Sequence, residues 1–299
     1  MIRARTRCSV VVCVLLLATF ATADAFKNEK NVIDQLNGMS SAEIKSLIVS
    51  AQRGSPWAQT LLGIAYLRGV RVAQNEREAF ELFSKASRKR QPAAMNNLGL
   101  MYFFGTGTAK NYSEAVRWFR GGSREGNAEA QFNLALMYHH GYGVPVDVNE
   151  AAKWYEIAAR QGLTKAQNVM ASFYETGTGV VKDLGQAVAW YTKAAEAGYA
   201  MAQFNLGSLY VESNDFPAAT HWYLLAAKQG HPEAIRSLVA LYLHGDETKR
   251  NYREAYRWLT ASHATDPWVI EKLELCRQHL SSADVNELDT TTALNNRGN

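Results

Sequence analysis

The sequence predicts an all-α fold, a solenoid of stacked helix pairs. Three observations carry this. Signature residues recur at one interval: Trp118, Trp154 and Trp190 stand 36 apart, and so do Tyr66, Tyr102, Tyr138 and Tyr174, and Gly69, Gly105, Gly141 and Gly177. A fixed period of about 20–50 residues marks a repeat array. Within each interval, small and apolar residues fall on one helical face twice over, as Ala94, Leu98, Gly99, Tyr102 and then as Ala151, Trp154/Tyr155, Ala158. Between the two stretches stands a glycine pair, Gly105/Gly107, Gly141/Gly143 or Gly177/Gly179. It ends the first helix at positive φ.

The elements follow in order. Residues 1–25 read as a secretory signal peptide. Arg3, Arg5 and Arg7 precede the apolar run Val10–Phe20, and Ala23-Asp24-Ala25 offers small residues for cleavage. The run is too short to span a bilayer comfortably. Cleavage removes three Arg and one Asp, so the formal charge falls from +4 to +2. A nearly neutral mature chain does not imply nucleic acid as a partner. Cys8 and Cys13 leave with the signal, and Cys276 alone cannot form an intrachain disulfide. The rest of the 299-residue chain, long enough for a continuous core, must hold together by packing.

Residues 26–55 read as an N-terminal cap with a helix near Ser41–Arg53, opened by Ser40/Ser41 and closed by Gly54. Six repeats follow: 56–91, 92–127, 128–163, 164–199, 200–231 and 232–266. The fifth is four residues short and lacks the Gly-x-Gly-Val loop. Pro56, Pro92, Pro232 and Pro267 sit at first helical positions, where a missing N–H costs nothing. The second helices open with Asn75/Glu78, Asn111/Glu114, Asp147/Glu150, Asp183/Gln186 and Asn251/Glu254, each three apart as in a capping box. They close at Gly126, Gly162, Gly198 and Gly230. The repeated Trp is expected to fill the gaps between layers, where truncation to Ala costs about 3–5 kcal/mol. Residues 267–280 read as a C-terminal capping helix, and 281–299 as a polar, disordered tail.

The pattern Ala-x-x-x-Leu-Gly-x-x-Tyr-x-x-Gly-x-Gly-Val, then Asp-x-x-x-Ala-x-x-Trp-Tyr-x-x-Ala-Ala-x-x-Gly, resembles the Sel-one-like repeat, a relative of the tetratricopeptide repeat. Ala128–Gly162 matches nearly every key position. Repeat one departs most, with Leu82 for Trp and Arg90 for the closing Gly. Repeat six keeps Gly245 and loses the second loop glycine. The resemblance implies right-handed superhelical stacking of antiparallel helix pairs and a role in protein–protein interaction. It also implies that the first helices line a concave side. There the front repeats offer Trp57, Ile64 and Leu67; then Leu100, Phe103 and Phe104; then Phe132, Leu136, His139 and His140. Later repeats turn polar, with Lys165, Asn168, Ser172, Glu175, Ser208, Glu212, Arg236 and His244.

The expected site is an apolar, aromatic groove for a peptide or a partner's helix. The alternative is that Phe103 and Phe104 pack under loops. Asn97, Asn133 and Asn205 share one repeat position. They read either as donors to an extended peptide or as bonds to neighbouring helices. Lys85, Arg88, Lys89 and Arg90 form a basic helix end, favourable for the dipole.

No catalytic, cofactor or metal site is expected. His139, His140 and His244 lack further ligands at metal spacing, and adjacent histidines should point in different directions. No Ser-x-x-Lys, Gly-x-Ser-x-Gly or His-Glu-x-x-His occurs. Asn111-Tyr112-Ser113 is a glycosylation sequon at a helix cap. The reading is an exported, non-catalytic scaffold in the periplasm or outside the cell. The alternative is a secreted enzyme acting on cell-wall glycans or β-lactams, which a turnover assay would separate.

Overall fold

A computed structural model describes residues 25–244, 250–262 and 266–295, with side chains from 31 to 290. The signal reading, Cys8, Cys13 and Gly245 lie outside the described residues. The described secondary structure is all α-helix, with no strand. Two compact units divide it: Met1–Ala166 with Gly177–Val181, and Gln167–Thr176 with Lys182–Asn299.

The first unit opens with α1 (Ala25–Gly38) and α2 (Ser41–Gln52). Three helix pairs follow: α3 (Pro56–Arg68) with α4 (Glu76–Arg88), α5 (Pro92–Phe104) with α6 (Tyr112–Arg124), and α7 (Ala128–His140) with α8 (Val148–Arg160). Each helix packs on its pair mate, and α4 and α6 pack on the first helix of the following pair. Helix α9 (Thr164–Thr176) gives residues to both units. The second unit continues with α10 (Leu184–Glu196), α11 (Ala200–Glu212), α12 (Phe216–Lys228), α13 (Pro232–Tyr242), α14 (Tyr252–Ala261), α15 (Pro267–His279) and α16 (Ser282–Asn295).

The caps form as the spacing predicts, with one difference. Asn75, Asn111, Asp147, Asp183 and Asn251 each accept the backbone N–H three residues on. The reciprocal half of the box is described only at Ser40/Glu43. In the repeats the Glu carboxylate has better offers. Glu114 binds Arg117, and Glu150 takes Lys153 and the Trp154 indole N–H at 3.0 Å. One backbone bond recurs whatever the loop length. The N-cap N–H donates to the carbonyl of Tyr66, Tyr102, Tyr138, Tyr174, Tyr210 or Tyr242 at 2.7–3.0 Å. The short fifth loop keeps this bond by placing Asn214 at φ 60.

Size compensation sets the core of each pair. The second residue of every aromatic pair is buried: Phe83, Phe119, Tyr155, Tyr191, Tyr223 and, in repeat six, Leu259. At the matching position of each first helix stand Gly63, Gly99, Ala135, Ala171, Gly207 and Val239. A Cβ on Gly99 would lie 2.6 Å from the Phe119 ring, and one on Gly207 2.7 Å from Tyr223. Where the large partner shrinks to Leu259, the small one grows to Val239. The period-defining Trp is the other member of the pair. Trp118, Trp154, Trp222 and Trp258 are only half-buried, and of the five Trp190 alone is buried. The expected core-sized penalty therefore belongs to Phe119→Ala, at about 3–5 kcal/mol, rather than to Trp118→Ala.

The second loop glycine joins successive pairs. Cβ atoms on Gly107 and Gly143 would approach the backbones of Glu76 and Tyr112 to 2.5 and 2.6 Å, and one on Gly179 would press as hard on the Val148 carbonyl. Each glycine thus lies on the start of the preceding pair's second helix. A column of buried glutamines, not anticipated from the sequence, ties the pairs further. Gln59, Gln131 and Gln203 donate to the carbonyls of Ala51, Ser123 and Ala195 at the end of the preceding helix. Each of those carbonyls also accepts the N–H of the closing glycine, Gly54, Gly126 or Gly198, so the glutamine fills its second lone pair.

Arg90 holds φ 61 where the other repeats have Gly126, Gly162, Gly198 and Gly230. A side chain in this region costs about 1–2 kcal/mol. The exposed Arg90–Glu125 ion pair returns less than about 1 kcal/mol. Arg90→Gly is expected to raise stability by about 0.5–1 kcal/mol in urea titration. A loss instead would show that the ion pair outweighs the backbone strain. Lys89 also has a defined role, donating to the Gly54 carbonyl at 2.6 Å.

The polar tail is a helix where described. Ser281 caps α16, Leu288 is buried, and Asp284, Glu287 and Asp289 bind Arg253 and Tyr256 of α14. Composition alone reads these residues as solvated, because their partners lie some thirty positions earlier in the chain.

Candidate binding face

Helices α3, α5 and α7 carry only two charged residues, Arg68 and Glu129. Their pair mates α4, α6 and α8 are amphipathic, with charged outer sides. A helix that is apolar all round needs cover on every side. Part of that cover is absent here. Trp57 is 54% exposed and Phe104 49% exposed. Leu67, Leu100 and Phe103 are half-buried.

Ring contacts join part of this face into one cluster. Phe103 meets Phe104 at 5.0 Å, Tyr112 at 5.2 Å and Tyr142 at 5.6 Å between centroids. Tyr112 and Tyr142 stack on each other, and His140 lies against Tyr142. Phe103 therefore packs under the loop, as the alternative reading has it, while Phe104 stays exposed. Trp57, at the start of α3, is joined to the cluster by no ring contact among the described residues. Tyr112 and Tyr142 were missed in the sequence because neither sits at an outward helical position. The available signal was Tyr142 itself, an aromatic inside the loop glycine pair where Thr106 and Thr178 stand in neighbouring repeats.

Phe132 and Leu136 leave the exposed face, at 7% and 8% exposure. Phe132 lies 5.2 Å from Tyr155, with the Lys165 ammonium 4.5 Å from its ring centroid. Lys165 is buried too, paired with Glu129 at 2.6 Å. It belongs to the packing of the first unit rather than to a polar surface. Asn133 donates to Asn96 at 2.8 Å, and Asn205 to Asn168 at 3.0 Å. These amides bridge neighbouring first helices, which is the second of their two readings. Asn97 is half-buried. Asn111, the sequon residue, caps α6 through its side-chain oxygen.

His139 and His140 do not diverge as adjacency suggested. Their rings stack, with centroids 4.6 Å apart and planes 6° from parallel. Neutral imidazoles tolerate that arrangement and two imidazolium ions would not. Burial, with the neighbouring His140 adding to it, pushes His139 from its ordinary 6.5 down to about 4. Burial lowers His140 in the same direction. Because the folded state holds His139 below its unfolded value, its contribution to stability is whole above pH 6.5 and is lost as pH falls toward 4. Thermal melting should therefore drop across that window, and His139→Gln should make the drop shallower. An unchanged slope in the variant would contradict the assignment. No cluster of three or more metal-ligating side chains occurs among the described residues. No described helix is long and apolar enough to cross a membrane.

Comparison with known proteins agrees with this geometry. The Sel1 repeat family model matches residues 58–90, 92–127, 128–163, 164–199, 200–231 and 237–262. None of the curated proteins matches the chain closely. Similar solved structures include the following two. One is the protective antigen c5321 of uropathogenic Escherichia coli strains, which displays an SLR fold. It is 28% identical with a TM-score of 0.67, over 83% of this chain and 56% of the antigen. The chain thus spans little more than half the length of that relative. The other is a Sel1 repeat protein from Oxalobacter formigenes, 32% identical with a TM-score of 0.62, over 71% of this chain and 87% of that protein. Sel1 repeat proteins typically mediate protein–protein interaction on a generally non-catalytic scaffold fold. The recurring period, the paired helices and the six matched segments together make this chain a member of the Sel1 repeat family.

Proposed function

We propose that the chain is an exported, non-catalytic docking scaffold. It binds a peptide or partner helix on the first-helix face of its first unit, the concave side in the tetratricopeptide-like arrangement. The observation that carries the reading is Phe104, held half-exposed on the uncharged helix α5 and joined through Phe103 to Tyr112 and Tyr142. Such a patch loses water to a partner's apolar side chains, and rigid aromatic rings do so at small entropic cost. Export is supported by the basic-then-apolar segment at residues 1–25, and N-terminal sequencing of the secreted protein checks it.

The test is affinity capture from the envelope fraction with the mature protein and with the double variant Trp57→Ser/Phe104→Ser. Loss of the captured partner by ten-fold or more is expected, with the melting temperature held. Retention of the partner by the variant, or turnover of glycan or β-lactam by the purified wild type, would end the reading.

A further inference from the structure

Repeat one ends its second helix unlike the others. Helices α6, α8, α10 and α12 each carry a single cation in the last turn, Arg124, Arg160, Lys193 or Lys228. They then leave the helix through Glu125, Gln161, Ala197 or Gln229 and a glycine. Helix α4 carries Lys85 and Arg88 in that turn, and Lys89 and Arg90 follow. One cation satisfies the helix dipole, and four exceed it. Arg90 moreover takes the left-handed position that glycine fills elsewhere, and its exposed ion pair with Glu125 returns less than the backbone loses. Strain of that kind persists where the side chain serves something other than the fold.

The surplus charge gathers at one corner of the first unit. The Lys89 ammonium donates to the Gly54 carbonyl at 2.6 Å, next in the chain to Arg53, the exposed C-cap of α2. Trp57 lies three residues beyond Gly54, and it is exposed. Among the described residues, the one carboxylate paired with any of these cations is Glu125. The corner also continues the aromatic face. Trp57, Ile64 and Arg68 form one stripe of α3, seven and then four residues apart, and Arg68 holds the repeat position that Phe104 holds in α5. The carboxylate on these first helices, Glu129, is held by Lys165 at 2.6 Å. We propose that the corner takes an acidic stretch of the docked partner, a run of carboxylates adjoining its apolar anchor. Charge complementarity selects this occupant, and guanidinium groups pair with carboxylates through two parallel bonds. Lys89 and Arg90 are anchored, one on a backbone carbonyl and one on Glu125. Anchored cations suit a segment of defined spacing better than a fluid layer of lipid headgroups. The inference rests on the docking reading for its partner and names the chemistry of the part that lies beyond the aromatic face.

The test is fluorescence anisotropy of labelled hexaglutamate on the mature protein at low salt, with hexaglutamine as control. Hexaglutamate should bind, hexaglutamine should not, and rising salt should release the bound peptide. Arg90→Gly should weaken binding about five-fold although it stabilises the fold, and Lys85→Ser/Arg88→Ser should weaken it at least as much. Phe104→Ser should leave it unchanged, because the probe has no apolar side chain. The corner and the aromatic face therefore fail or stand separately. Arg160→Ser, at the end of α8, should also leave it unchanged. No binding of hexaglutamate, equal binding by Arg90→Gly, or an equal loss with Arg160→Ser would overturn the proposal. So would phosphatidylglycerol vesicles that bind wild type but not Arg90→Gly and are not displaced by hexaglutamate, a result that would assign the corner to a membrane.

Discussion

Gly99→Val should destabilise the protein by about 3 kcal/mol in urea titration. A Cβ there already falls 2.6 Å from the Phe119 ring, on a side chain buried to 1% exposure, so the ring cannot swing into solvent. Adding Phe119→Leu should return a large part of the loss, because repeat six builds the same two positions from Val239 and Leu259. Phe119→Leu by itself leaves a cavity and should cost about 1–2 kcal/mol. The double-mutant cycle should therefore show a favourable coupling of at least about 1 kcal/mol. Additive losses would mean that the pair is not fitted by size.

Gly143→Ala carries the second large effect, also about 3 kcal/mol. Two costs combine. The residue sits at φ 70, where a side chain is strained by roughly 1–3 kcal/mol, and its Cβ would lie 2.6 Å from the Tyr112 backbone, which has no flexible end to move aside. Gly126→Ala separates them. That residue has φ 82, and a Cβ added there would meet nothing within 4 Å, so it should lose only about 1 kcal/mol. Gly143→Ala should also weaken partner capture, since the same loop carries Tyr142 into the aromatic cluster. Equal losses at the two glycines would contradict the role given to the loop in joining successive pairs.

The fold was legible because its signals are local and repeated. Capping residues, loop glycines and the tyrosine whose carbonyl receives the cap N–H all act within a few positions. Side-chain partnerships across the array were harder to read. The tryptophan marks the period, yet the residue after it fills the core. Helical spacing gives a face to within a residue or so and does not say which neighbour lies deeper. Phe132 and Phe104 both read as outward, but only Phe132 meets Tyr155 and the Lys165 ammonium. Helix α16 escaped notice because the groups that order it are two arginines and a tyrosine on earlier helices.

The functional claim rests on which side of the first unit meets a partner, and site-specific photo-crosslinking asks that directly. A benzophenone side chain would be placed at Phe104, and in a second protein at Ile157, an exposed apolar position on α8. Illumination in the native envelope should give a discrete adduct from position 104 and none of comparable yield from 157. An adduct of equal or greater yield from 157, or none from 104, would contradict the account.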